Sequence, residues 1–396
     1  MRDFEECWHR RLTELETAGR RRHLRDTAKL PDGTVVVGRG EAGGLLDFSS
    51  NDYLGLSRHP ELIRRAQAFV ARWGAGSGAS RLVTGNLAPF AAIEDKLAKG
   101  KGAESALLFV SGFQANATML PALLDARTLG GEPLVFADRN NHASLIHGCQ
   151  AAGVRQIRFR HNDLDHLALL LARHAGEGRP CVIVTETVFS MDGDRADVAA
   201  LAALAEQYGA FLYLDEAHAT GVLGATGFGL AQGLAGPRCL AMGTFSKALG
   251  GFGAYAACSS RLRDYLINRC TGLIYATALP PAVLGAMDAA LDLLPGLDRE
   301  RARLAAHAER FRAAMAEADL DTGASSTQIV PLLLGDEESA LALARNLEAD
   351  GFLAVAIRPP TVPRGGSRIR FAFSALHQDE QRERLIAAVL QRMGRR

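Results

Sequence analysis

Along most of the chain, short unbroken apolar runs alternate with longer stretches in which apolar and polar residues recur at helical spacing. The runs at 106–110, 134–136, 181–184, 211–214 and 240–242 carry almost no polar residue. Such runs predict strands buried on both faces, because a strand with one wet face alternates instead. Between them lie helical stretches such as 198–208, rich in Ala and Leu. Strand–helix alternation of this kind predicts an α/β fold built on a mainly parallel central sheet, covered on both sides. Before it, residues 3–28 are charged and helical in pattern. A connection with turn signals follows at Pro31-Asp32-Gly33, Gly38, Gly40 and Gly43-Gly44. Between Pro280 and Pro295 the texture changes. Helices are expected at 299–318, 338–350 and from Asp379 onward, with strands at 328–334 and 369–373. The chain thus divides into an N-terminal helix and connecting segment (1–48), a large domain (49–285) and a smaller C-terminal α+β domain (286–396).

Composition narrows the function classes. The 396 residues are 48% hydrophobic and 22% charged, with a formal net charge of +1. That balance belongs to an ordinary soluble protein and gives no broad basic footprint for nucleic acid. The densest basic run, Arg20-Arg21-Arg22, reads either as a solvated helix face or as a place to hold an anion. Six scattered cysteines form no C-x-x-C pair, so neither a zinc site nor a disulfide framework is expected. Cys181, Cys239 and Cys258 lie in or beside apolar runs and read as small core residues. Residues 1–11 lack the apolar segment of a signal peptide, and no run reaches membrane-spanning length, so a cytoplasmic location is expected.

In open parallel sheets, ligands sit beyond the carboxyl ends of the strands. The run at 181–184 leads into Thr185-Glu186-Thr187-Val188-Phe189-Ser190, and 211–214 into Asp215-Glu216-Ala217-His218. The run at 240–242 leads into Gly243-Thr244-Phe245-Ser246-Lys247. A lysine beside a buried strand either snorkels to the surface or is needed as an uncharged amine for a carbonyl. A hydroxyl, an acid with a histidine, and a lysine reaching one sheet edge favour the second reading. Asp215-Glu216-Ala217-His218 also spells a helicase motif, but that reading needs a G-x-x-x-x-G-K-[ST] loop, which the sequence lacks. Gly74-Ala75-Gly76-Ser77-Gly78-Ala79 fits a dinucleotide fingerprint only loosely and follows no convincing strand.

The chemistry that uses such a set is pyridoxal phosphate catalysis. The lysine holds the cofactor aldehyde as a Schiff base, and an aspartate pairs with the pyridine nitrogen. One histidine can stack on the ring and another can reach its phenolic oxygen. A glycine-containing helix start with nearby hydroxyls can hold the phosphate.

Ordered pieces along the chain sharpen this. They include Asp47-Phe48-Ser49-Ser50-Asn51-Asp52-Tyr53-Leu54-Gly55-Leu56, Gly76-Ser77-Gly78-Ala79-Ser80-Arg81, Ser111-Gly112-Phe113-Gln114-Ala115-Asn116 and Asn141-His142-Ala143-Ser144. Further on come the segments at 186–194, 215–221 and 244–251, then Tyr275-Ala276-Thr277-Ala278-Leu279-Pro280-Pro281. Arg358-Pro359-Pro360-Thr361-Val362-Pro363 and Arg368-Ile369-Arg370 complete the set. From Arg20 to His377 the chain resembles the α-oxoamine synthases, fold-type I (aspartate-aminotransferase-like) pyridoxal-phosphate enzymes.

The resemblance implies that Lys247 carries the cofactor and serves as proton-transfer base, that Asp215 faces the pyridine nitrogen, and that His142 stacks on the ring. It implies contacts of His218 and Ser190 with the phenolic oxygen side. Phosphate contacts would come from the backbone of Gly112 and Phe113, from Thr244 and Ser246, and from Thr277 of the other subunit of a homodimer with shared active sites. Arg370, or in second place Arg358, is implied for the amino-acid carboxylate, and Asn51 and Arg20 for the acyl-substrate end.

The implied activity is an acyltransferase reaction: decarboxylating condensation of L-alanine with a pimeloyl thioester, borne by CoA or a carrier protein. The alternative is a sibling condensation of glycine or serine with another acyl-CoA. An aminotransferase or a C–S lyase fits the C-terminal segments less well, and a non-enzymatic binding protein is disfavoured because Lys247, Asp215 and His142 are all present. Two positions depart from the pattern. Phe90 stands where histidine is expected; if it touches the acyl donor, a different thioester is preferred. Ala219-Thr220 follows His218 with no clear meaning.

Overall fold

A computed structural model describes residues 3–30, 33–38 and 43–394. The turn signals Pro31, Asp32 and Gly40 lie outside the described residues. By contacts the chain forms two compact units. One comprises 1–50, 191–193 and 304–396; the other comprises 51–190 and 194–303.

The first unit opens with the helix Phe4–Thr17, whose Asp3 side chain accepts from the N–H groups of Glu5 and Glu6. The helical pattern expected across 3–28 stops at Thr17. Gly19 takes φ +62°, and Thr27–Lys29 (β1) pairs antiparallel with Val35–Val37 (β2). Charged residues recur at helical spacing there, but the left-handed glycine ends the helix. Leu46–Asp47 (β3) follows.

The second unit holds the central sheet. Its strands are Ser105–Phe109 (β4), Leu134–Asp138 (β5), Gln156–Phe159 (β6), Cys181–Glu186 (β7), Phe211–Asp215 (β8), Cys239–Thr244 (β9) and Ala254–Cys258 (β10). Their order is β4-β10-β9-β8-β7-β5-β6. The pairs from β9 through β6 are parallel, and β10 alone runs antiparallel, to both β4 and β9. All five strands expected from apolar runs are present. One face of the sheet carries Leu107, Val135, Val182, Val184, Tyr213, Leu240 and Met242. Against it pack Ala115, Met119 and Leu120 of the helix Gly112–Leu123, and Leu145 and Cys149 of the helix Ala143–Ala151. Period-2 alternation puts these strand residues on one face, and Tyr213 therefore shares its side with Asp215. Cys239 and Cys258 are buried as expected, whereas Cys181 at the start of β7 is partly exposed; all six cysteines are free thiols.

Back in the first unit, Ile329–Gly335 (β11), Val355–Ile357 (β13) and Ser367–Ala372 (β14) form an antiparallel sheet in the order β11-β14-β13. Phe352–Leu353 (β12) pairs parallel with β3. The helices Glu337–Ala349 and Asp379–Arg392 bury Leu343, Leu347, Leu385 and Val389. The long helix expected after the change of texture runs Asp298–Glu317.

Candidate active site

Three neighbouring parallel strands, β7, β8 and β9, end on Glu186, Asp215 and Thr244. In register, Glu186 stands opposite Asp215, and Asp215 opposite Met242. The turn after β9 carries Lys247, and the turn after β8 carries His218. Lys247 Nζ lies 2.8 Å from His218 Nε2. His218 Nδ1 lies 2.7 Å from the Tyr53 hydroxyl, which donates to Asn51 Oδ1 at 3.0 Å. Because Tyr53 spends its proton on Asn51, His218 donates from Nδ1 to Tyr53 and presents Nε2 as an acceptor to the lysine. Lys247, His218, Tyr53 and Asn51 thus form one directed chain. Tyr53 is fully buried, so the chain is fixed at its inner end.

Asp215 is 4% exposed, and both its oxygens accept: Oδ1 from the Ala217 N–H at 2.8 Å, Oδ2 from Asn116 Nδ2 at 2.7 Å. His142 caps the helix Ala143–Ala151, and its backbone N–H donates to Glu186 Oε1 at 2.6 Å. Burial pushes the His142 imidazole below its ordinary pKa; Asp215 opposes that and Lys247 adds to it. Burial, reinforced by Asp215, lifts Glu186 well above the usual carboxylate range. These mutual influences put Lys247, Asp215, His142 and Glu186 in one electrostatic neighbourhood.

The helix Gly112–Leu123 starts beside the end of β9. A Cβ placed on Gly112 would lie 2.7 Å from Thr244 Cγ2, so only glycine allows this approach. The N–H groups of Gly112 and Phe113 open that helix, where the first four N–H groups lack intrahelical partners and attract anions. Thr244 is buried at the strand end and Ser246 is exposed beyond it. An amine, a carboxylate held by two donors, and a helix start bared of Cβ fit a phosphorylated carbonyl cofactor with a basic ring nitrogen.

The other expected residues stand as follows. Ser190 sits in the turn after β7, which is closed by Phe189 N–H to Asp194 O at 3.1 Å. Beneath that turn His161 meets Phe189 edge-on at 4.4 Å between ring centroids. Thr277 is exposed and bridges to Ser80. Arg20, Arg358 and Arg370 belong to the other unit. There Arg20 pairs with Glu337 at 2.6 Å, and Arg358 donates to the carbonyl of Gly19. Arg370 is buried on β14, in register with Val355 and Pro331. Phe90 is 1% exposed, with the Arg81 guanidinium 4.1 Å from its ring centroid. It packs as the floor under Arg81, which also binds Glu94. Tyr53, Asn116, Ser144 and Glu186 are the site residues to which sequence reasoning gave no role. All four fall inside the quoted motifs, but only their folded partners reveal what they do.

The chain belongs to the class I and II aminotransferase family, whose sequence pattern matches residues 44–389. Its cofactor is accordingly pyridoxal 5′-phosphate, and within the family it is an α-oxoamine synthase. It is 58% identical over 393 residues to the 8-amino-7-oxononanoate synthase of Gluconacetobacter diazotrophicus, covering 98% of this chain and 97% of that one. Among solved structures, serine palmitoyltransferase of Sphingomonas wittichii superposes with a TM-score of 0.88 at 26% identity, covering 98% of this chain and 96% of that one. The 8-amino-7-oxononanoate synthase of Francisella tularensis gives 0.75 at 26% identity, covering 88% and 98%.

Proposed function

We infer that the protein catalyses the decarboxylating condensation of L-alanine with a pimeloyl thioester, on CoA or a carrier protein. The products are 8-amino-7-oxononanoate, CO2 and the free thiol, a step of biotin biosynthesis. The observation that carries this reading is Lys247 at the end of β9, its amine 2.8 Å from an acceptor nitrogen of His218. When bound, pyridoxal phosphate supplies an electron sink for the carbanion that forms at the α-carbon of the amino acid.

The chain's own residues do the rest. Lys247 Nζ removes the α-proton and later returns one. By accepting one N–H of the amine, His218 Nε2 fixes the direction of the lysine lone pair. Tyr53 and Asn51 hold that imidazole in place. Asp215 faces the ring nitrogen with an oxygen already oriented by Asn116. Gly112 and Phe113 N–H, with the hydroxyls of Thr244 and Ser246, bind the phosphate. His142 covers the ring face, and Ser190 lies toward its phenolic oxygen. Arg370 holds the carboxylate of the amino acid, with Arg358 in second place. Arg20 and Asn51 serve the acyl end.

The protein works in the cytoplasm as a homodimer, with Thr277 reaching the phosphate of the partner's site. Exposed apolar side chains around Thr277 support this: Leu82 (52%), Val83 (73%) and Tyr275 (81%). They offer a surface that a second copy would cover.

Thiol release, followed with L-alanine, glycine and L-serine against pimeloyl-CoA and other acyl-CoAs, tests the reaction. Alanine with the pimeloyl thioester is expected to be the best pair, with one CO2 per thiol. A better rate with glycine or serine and another acyl chain would replace it with a sibling condensation. Ketoacid-dependent amino exchange without CO2 would replace it with an aminotransferase. Sedimentation of the same preparation at the mass of one 42.3 kDa chain would remove the shared site.

A further inference from the structure

Asn116 sits in the helix Gly112–Leu123 at 1% exposure, over the face of the sheet that carries Tyr213 and Asp215. Its side-chain amide makes three hydrogen bonds. Nδ2 donates to Asp215 Oδ2 at 2.7 Å and to Ser144 Oγ at 2.9 Å, while Oδ1 accepts from the Tyr213 hydroxyl at 2.6 Å. The orientation of the amide follows from its partners. Both Asp215 oxygens act as acceptors, so the NH2 side must face the carboxylate and the carbonyl must face the tyrosine. Tyr213 keeps its proton, because burial and Asp215 raise its pKa well above the ordinary value of 10.

The same bookkeeping continues outward. Ser144 Oγ accepts from Asn116, so its single O–H is available to His142 Nδ1, 2.7 Å away. The backbone N–H of Ser144 donates to that same Nδ1 at 3.2 Å. Two donors converge on one ring nitrogen, which must then carry the lone pair. The imidazole is therefore neutral, with its proton on Nε2. The titratable groups around it are Asp215, Lys247 and Glu186, the last through the His142 backbone N–H.

We propose that Asn116 is a positioning residue for the reaction inferred above. Its one amide aims the Asp215 carboxylate and, through Ser144, fixes the proton of His142 on Nε2. The two groups expected at the edge and on the face of the cofactor ring are thereby set by one side chain, whose amide bonds to Asp215, Ser144 and Tyr213. Protonating His142 on Nδ1 would set that proton against the Ser144 backbone N–H and turn the Ser144 hydroxyl away from its acceptor, the hydrogen that Asn116 directs toward the ring by occupying the other side of Oγ.

The inference rests on the functional reading for its consequence, but its first readout does not. Full-length protein labelled with 15N-histidine is examined by NMR with and without pyridoxal phosphate, and His142 is assigned by comparison with His142→Gln. Wild type is expected to show a neutral His142 protonated on Nε2 in both states; protonation on Nδ1 overturns the proposal. In Ser144→Ala and Asn116→Leu, a mixture of tautomers is expected.

In the loaded enzyme, Asn116→Leu is expected to move the pH midpoint of the visible cofactor band by about one unit or more. It should also lower kcat by about tenfold or more, with KM for the amino acid within about threefold. Asn116→Leu with an unmoved midpoint and the wild-type tautomer also overturns the proposal. Should that variant fail to fold, Ser144→Ala and the wild-type tautomer decide alone. A wild type that shows no visible band with pyridoxal phosphate instead sinks the functional reading, while the tautomer result still stands.

Discussion

Lys101 and Glu216 have no exposed side-chain surface at all, and they bind each other. Lys101 Nζ also donates to Phe228 O at 2.7 Å, and Glu216 Oε1 accepts from the Ala231 N–H at 2.8 Å. Burial works against the lysine charge, but Glu216, together with Tyr255 and Cys239, more than offsets it, so the Lys101 pKa rises. Glu216 directly follows Asp215, and its backbone N–H bonds Met242 O at 2.7 Å, tying the turn that carries His218 to β9. Breaking one half of a buried pair leaves an uncompensated charge, a cost of about 3–5 kcal/mol, whereas removing both charges is often neutral. Lys101→Met is thus expected to lower stability by about 3–5 kcal/mol in urea unfolding, and Lys101→Met with Glu216→Gln to recover most of it. The glutamine keeps an acceptor for the Ala231 N–H. A double variant as unstable as the single one would show that the pair stabilises through more than charge compensation. Residues of this kind also mark the limit of sequence reading. Asp215, His218 and Lys247 are legible because each follows an apolar strand. Asn116 and Tyr53 reach their partners across 99 and 165 residues through single amide and hydroxyl groups, and such a bond leaves no periodicity behind.

Among the elements, five of the seven strands of the central sheet were legible because burial on both faces leaves an unbroken apolar run. The parallel edge strand Gln156–Phe159 was not, because Gln156 and Arg158 interrupt it. Nor was Ala254–Cys258. It is alanine-rich, has no β-branched residue, and gains its place only by pairing antiparallel with strands on both sides. The start of the helix Gly112–Leu123 shows the opposite case. Its glycine was legible as part of a phosphate-binding turn, but the reason for it is the methyl of Thr244, 2.7 Å from where a Cβ would stand. Gly112→Ala must push the helix start off the end of β9, an overpacking cost of about 1–3 kcal/mol. Because the displaced groups are those inferred to hold the phosphate, pyridoxal phosphate affinity is expected to fall about tenfold or more, read by fluorescence titration. Thr244→Ser removes the methyl and keeps the hydroxyl, so Gly112→Ala with Thr244→Ser should regain most of that affinity. Failure of the serine to rescue would mean that the approach of helix to strand is not what Gly112 protects.

At the scale of the whole molecule, each unit contains a histidine that ties its stability to pH, and the two act in opposite directions. In the first unit, His377 accepts the Ser374 N–H on Nδ1 at 3.1 Å, and its Nε2 lies 3.0 Å from Asp47 O. Burial depresses it to about 4 from the ordinary 6.5. The unfolded chain therefore takes up a proton that the folded one refuses. The resulting stability is complete above about pH 6.5 and lost as pH falls toward 4, at about 3 kcal/mol. In the second unit, His161 lies between Asp138 at 3.0 Å and Asp194 at 2.9 Å. Burial lowers its pKa, but the two carboxylates outweigh that and raise it to about 10. Its contribution is complete below about pH 6.5 and lost as pH rises toward 10. Urea midpoints measured from pH 4 to 10 should therefore peak near pH 6.5 and fall on both sides. His377→Asn is expected to flatten the acid limb alone, and His161→Gln the alkaline limb alone. His161 also lies edge-on against Phe189, next to Ser190, so its deprotonation loosens a turn expected to contact the cofactor ring. If the alkaline limb persists unchanged in His161→Gln, the two aspartates do not hold a proton on that ring, and the turn carrying Ser190 is fixed by its backbone bridge instead.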